Sequence, residues 1–229
     1  MKFSIKTDQL EKQRSDVLVI GVYDSLKLVY DKLSLSKSTI SHITSILKHG
    51  DMTGKASSSL ILYNVPGTKI PKILLIGLGQ EKEFDGKKYH AAVRTMIYAL
   101  KKMDAKTIIS LLHIASIKGA DIAWNIEHFV NEVMDASYEF SELKTVNKKI
   151  KKTFDIFILV DKKSQKIAEA ALKKSFALAK GIELTKTLGN LPPNICTPTY
   201  LGKKAQEIGK AHGMKIEVLD QKQIGRAHV

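Results

Sequence analysis

Four short runs constrain the fold of this chain more than anything else in it: DVLVIGV (16–22), KILLIGLG (72–79), TIISLLHI (107–114) and FDIFILV (154–160). Each is apolar almost throughout, without a polar residue at every second position. A strand with one wet face alternates, whereas a strand covered on both faces does not, so these runs predict a sheet with helices on each side. SLILY (59–63) and residues 2–5 add two more strands.

Helical patterns fall between the strands. A short one covers 41–49. The segment 87–103 places Tyr89, Val93, Met96, Leu100 and Met103 at spacings of three and four, with Asp85 before it as N-cap. After Asp121, a second cap, Ile122, Ile126, Phe129, Val130 and Val133 form one stripe. Strands alternating with helices predict an α/β fold with a mixed, mostly parallel sheet.

A longer helix is predicted from Ser164 to about Leu188, with Ile167, Ala171, Leu178 and Ile182 inward, the arc widened by Ala168, Leu172 and Phe176, and Lys166, Lys173 and Lys180 opposite. Leu191-Pro192-Pro193-Asn194 then bends the chain, because proline lacks a backbone donor and keeps the preceding residue extended. Thr197-Pro198 has the form of a helix start, with Thr as N-cap and Pro at the first helical position. That helix turns Leu201, Ala205 and Ile208 inward and ends near Gly213, MKIEVLD (214–220) reads as a strand, and QKQIG (221–225) as the beginning of another helix. The expected organisation is an α/β domain over 1–160, a connector helix over 161–188, the start of a second α/β domain over 189–225, and a non-native tail at 226–229 (RAHV).

Composition excludes several classes. With 44% hydrophobic and 26% charged residues the chain can fill a core. No stretch nears 18 consecutive apolar residues, so no membrane helix is expected, and MKFSIKTDQLEK lacks the apolar run of a secretory signal, which points to the cytoplasm. The lone Cys196 has no partner for an internal disulfide and no base beside it in sequence, so it reads as a packing residue. The net charge of +14 raises nucleic acid as a partner, but the arginines are only Arg14, Arg94 and Arg226. Bidentate phosphate and base readers favour arginine, so this lysine excess reads as solubilising. The densest run, Lys148, Lys149, Lys151 and Lys152, reads as a solvated loop.

Chemical motifs are sparse. The seven histidines form no HExxH or clustered Cys/His spacing, and there is no GxSxG elbow or P-loop. Asp51, Asp85, Asp121 and Asp220 have no partners at metal-binding spacing. Gly77-Leu-Gly79 follows a strand without the third glycine of a dinucleotide fingerprint. It reads as a tight strand-to-helix turn, with a nucleotide or ADP-ribose-like ligand loop as the alternative. No catalytic or metal-ligating residue is predicted in this chain.

The segment LGNLPPNICTPTYLGKKAQEIGKAHGMKIEVLD (188–220) resembles the junction region of the leucyl (cytosol) aminopeptidases, the M17 metallopeptidases. The matching residues are Asn190, Pro192, Pro193, Asn194, Thr197, Pro198, Tyr200 and Leu201. The order of elements before it is similar to the family's macro-domain-like N-terminal domain, in which a Gly-Leu-Gly turn, here Gly77 to Gly79, precedes a long helix. Lys186-Thr187 departs from the Arg-Asp common in the family. The resemblance implies a parent enzyme that removes N-terminal amino acids from peptides, leucine among the favoured ones. It further implies two divalent ions, zinc or manganese, held by Asp, Glu and Lys, and assembly as a homohexamer. The family signature Asn-Thr-Asp-Ala-Glu-Gly-Arg occurs nowhere in these 229 residues. The chain is therefore expected to be inactive alone, the proline-rich segment being a hinge to a catalytic domain; a nucleotide-, ADP-ribose- or nucleic-acid-binding module is the alternative.

Overall fold

The computed structural model describes residues 1–7, 10, 13–30, 35–143 and 152–223. The apolar runs form the sheet. Its strands are β1 (Lys2–Lys6), β2 (Val17–Tyr23), β3 (Leu28–Val29), β4 (Ser59–Tyr63), β5 (Lys72–Gly79), β6 (Thr107–Ser110) and β7 (Asp155–Leu159). The order across it is β1-β7-β6-β2-β5-β4, with β3 paired to the end of β2. β1, β7, β6, β2 and β5 run parallel, and β4 and β3 are antiparallel additions. Every residue of β2, the most central strand, is buried.

Alternate residues of each strand feed two separate cores. Val17 and Val19 of β2, Leu74 and Ile76 of β5, and Ile156 and Ile158 of β7 face one core, which α2 (Gly86–Lys101), α3 (Ile122–Ser137) and α4 (Gln165–Asn190) complete. Leu18 and Ile20, Ile73 and Leu75, and Leu159 face the other, beneath α1 (Lys37–Lys48). The apolar runs lack alternation because both faces are covered.

The helix starts follow from short polar caps. Asp85 accepts from the Lys88 amide at 2.9 Å and Asp121 from the Trp124 amide at 2.8 Å. Ser36 does the same for α1, accepting from Thr39 at 3.2 Å, so that helix begins four residues before the sequence reading placed it. The predicted strand 107–114 stops at Ser110 and continues as a 3-10 turn, Leu112–Ile114.

Two expectations need correction. In α4 the buried residues are Ala168, Ala171, Ser175 and Ala179, whereas Ile167 and Leu178 are each 52% exposed and Ile182 and Phe176 are also exposed. Small side chains let a helix backbone approach its neighbour closely, so the packed face is the alanine face rather than the face with the largest apolar residues.

Residues 214–220 form no strand, since among the described residues no ladder partner pairs with them. They fold back along α5 (Pro198–His212), with Ile216 against Gly209 and Val218 against Gly202. Gly213 makes the reversal in the left-handed region at φ 66°.

By backbone contacts the chain divides into two compact units, Met1–Glu183 and Leu184–Val229. A 3-10 turn, Gln221–Gln223, stands where a further helix was expected, and the proposed tail 226–229 lies outside the described residues, as do Lys148, Lys149 and Lys151. Lys152 donates to the Met103 carbonyl at 3.0 Å.

Candidate functional site

The motif that carried the family resemblance is a compact device for stopping one helix and starting another. α4 keeps its hydrogen-bonded turns through Asn190, and the Leu191 amide still reaches the Thr187 carbonyl at 3.1 Å. Pro192 and Pro193 can donate nothing, so helix propagation ends there. The Pro192 carbonyl instead accepts from both Ile195 and Cys196 at 2.9 Å, closing a tight turn around Asn194. Thr197 is extended at φ −78°, ψ 163°, its hydroxyl accepts from the Tyr200 amide at 3.3 Å, and Pro198 occupies the first turn of α5. Asn190, Pro192, Pro193, Asn194, Thr197 and Pro198 are thus contiguous parts of one bend. Cys196 is a half-buried free thiol within it.

Gly77 and Gly79 sit elsewhere, at the end of β5. The Gly77 amide donates to Ser58 at 2.8 Å and the Gly79 amide to Gly54 at 2.9 Å. Both N–H groups are spent on the loop that lies over them, which offers neither to a phosphate. A Cβ at Gly77 would run into the Lys55 carbonyl, so close backbone approach explains the glycine.

No group of three His, Cys, Asp or Glu side chains among the described residues could hold a metal ion. One charged cluster escaped the sequence reading. Arg94 of α2 donates from Nε to Glu132 of α3 at 2.7 Å and lies 3.4 Å from Asp135, while His90 and His128 share a hydrogen bond of 2.8 Å. Trp124 stacks on His128 with ring centroids 3.8 Å apart. Glu132 is buried and keeps the Arg94 guanidinium charged, its pKa raised chiefly by that hydrogen bond. His90/Arg94 and His128/Glu132 are each four apart, the spacing that aligns side chains along a helix, but nothing local indicates that the two pairs meet. The cluster clasps α2 to α3.

The described residues thus give a mixed α/β sheet covered by helices and a long helix, α4, followed by a proline-bent turn into α5. Residues 19–147 match the model of the N-terminal domain of the cytosol aminopeptidase family. Among curated proteins, a probable cytosol aminopeptidase of Dechloromonas aromatica is 38% identical over 223 residues, 96% of this chain and 45% of that protein. One of Nitrosospira multiformis is 39% identical over 227 residues, covering 97% and 44%. Two solved structures share the fold. A tomato leucine aminopeptidase mutant has a TM-score of 0.75 at 22% identity, covering all of this chain and 46% of that one. The bottromycin maturation enzyme BotP has a TM-score of 0.63 at 16% identity, covering 88% and 38%.

The chain belongs to the cytosol aminopeptidase family. It spans about half the length of the curated relatives it matches. No helix among the described residues is long and apolar enough to cross a membrane.

Proposed function

We propose that this chain is the N-terminal, non-catalytic portion of a metal-dependent leucyl aminopeptidase acting on peptides in the cytosol. The observation that carries the reading is the match itself: an N-terminal domain model over 19–147, and relatives aligned over nearly all of this chain that are more than twice as long. On this reading residues 1–160 are the N-terminal domain, 161–188 the connector, and 189–225 the entry to the catalytic domain. Asn190, Pro192, Pro193, Asn194, Thr197 and Pro198 form the hinge, and Gly77 and Gly79 serve packing.

Two divalent ions, manganese or zinc, would lower the pKa of a bridging water and stabilise the tetrahedral oxyanion in the catalytic domain. The residues described here would position that domain and support a homohexamer. Reading the source gene past the codon for Gly225 tests this. A frame that reaches an Asn-Thr-Asp-Ala-Glu-Gly-Arg segment is the expected result; a gene that stops after Val229 overturns the enzyme reading for this protein.

A further inference from the structure

Two imidazoles on neighbouring helices of the first unit turn ring nitrogens toward one another. His90 Nε2 of α2 and His128 Nδ1 of α3 lie 2.8 Å apart. In a tetrahedral site, metal–nitrogen bonds of about 2.0–2.1 Å put two ligand nitrogens roughly 3.3 Å apart, so the pair need open by only about half an ångström to hold one ion.

The surroundings orient both rings. Glu132 Oε1 accepts from Arg94 Nε at 2.7 Å, and its other oxygen, Oε2, lies 3.3 Å from His90 Nδ1. A carboxylate at that distance favours the proton on Nδ1, which leaves a lone pair on Nε2, the nitrogen that faces His128. A carboxylate behind an imidazole is also the usual means of orienting a metal-binding histidine. The His128 ring is held by its stack on Trp124, with centroids 3.8 Å apart. With His90 Nε2 accepting, His128 Nδ1 donates in the hydrogen-bonded pair. An ion requires only that this proton move to Nε2 of the same ring, a change of tautomer without net proton loss. Burial, and then the neighbouring His90, lower the His128 pKa, so at pH 7 the ring is neutral and no extra proton competes for its lone pair.

The pair is open to solvent. The His90 side chain is 39% exposed and His128 is half-buried, so an ion can arrive with water on its remaining positions. Glu132 is committed to Arg94 and adds no third ligand; the chain supplies two nitrogens and water the rest. The cations close by are paired: Arg94 with Glu132 and Asp135, and Lys174 with Glu127 at 2.9 Å. Two imidazoles and water suit copper, nickel and zinc, with copper(II) the tightest of the series, whereas magnesium and manganese prefer oxygen.

We propose that His90 and His128 together bind one divalent transition-metal ion of the nitrogen-preferring kind, copper(II) most tightly, bridging α2 and α3.

Titration of the intact 229-residue chain with copper(II) at pH 7, read on tryptophan emission, tests this. Trp124 is the single tryptophan and rests on His128, so a paramagnetic ion on that ring quenches it. Saturable quenching at one equivalent is expected. Manganese(II), also paramagnetic, should need at least about a hundredfold higher concentration. His90→Gln and His128→Gln should each weaken copper binding at least about tenfold, because one imidazole remains. His90→Gln leaves the stack of Trp124 on His128 in place, and its thermal midpoint shows that the fold survives. Quenching that neither variant weakens would put the copper on another histidine and overturn the proposal. Emission unchanged by copper, or quenched equally by manganese, overturns it as well.

Discussion

Replacing Gly77 by alanine should cost far more stability than replacing Gly79, although Gly79 is the one with positive φ. At Gly77 a Cβ would meet the Lys55 carbonyl oxygen and the Ser58 hydroxyl, the first of them backbone and unable to swing aside. Forcing that loop outward costs about 1–3 kcal/mol as overpacking. It also strains two hydrogen bonds, Gly77 amide to Ser58 at 2.8 Å and Ser57 amide to Gly77 at 3.1 Å, worth about 1 kcal/mol each. The lost freedom of the unfolded chain returns ~0.4–1 kcal/mol, leaving a net cost of about 2–4 kcal/mol.

Gly79 at φ 77° has the Ala56 Cβ at 3.3 Å as the nearest atom to a new methyl. Its cost is the left-handed backbone alone, about 1 kcal/mol after the same correction. Urea unfolding of Gly77→Ala and Gly79→Ala, followed by circular dichroism, compares them. A Gly77 variant as stable as the Gly79 variant would refute the close-approach account.

Three further outcomes follow from named contacts. The folded pKa of His113, about 4, lies below its ordinary 6.5. Above pH 6.5 neither state is charged there; below it the unfolded chain takes a proton that the fold refuses. Stability should therefore fall between pH 6.5 and 4 by about 3 kcal/mol, and His113→Asn should remove that slope in acid unfolding curves. Trp124, the single tryptophan, should lose fluorescence as His128 protonates, with a midpoint below the ordinary histidine value because burial and then His90 lower it; in His128→Gln the transition should vanish. Thr197→Ala should weaken the start of α5 by about 1 kcal/mol, read as faster amide exchange at Tyr200.

The sequence showed most clearly what is determined locally. Asp85, Asp121 and Thr197 cap helices through amides three residues on, and the apolar runs at 16–22 and 72–79 mark strands by their composition. What it hid depends on distant partners. The order β1-β7-β6-β2-β5-β4 is set by helix crossovers that no local pattern encodes. The two-residue β3 is too short to show a period, and it exists because Gly21 and Val22 offer it a ladder.

The inward face of α4 was misjudged because hydrophobicity ranks Ile167 and Leu178 above Ala168 and Ala171, while close approach favours the smaller side chains. The bend from Asn190 to Pro198 was legible because proline chemistry and the Thr cap act within a few residues. The clasp of Arg94 on Glu132, and the burial of His113 against the Leu159 carbonyl, required the packed structure.

Hydrolysis of leucine amide with added manganese or zinc, by this 229-residue chain and by the product of its complete gene, tests the central claim most directly. Metal-stimulated turnover by the longer product alone is the predicted result. Robust turnover by the 229-residue chain itself would contradict it.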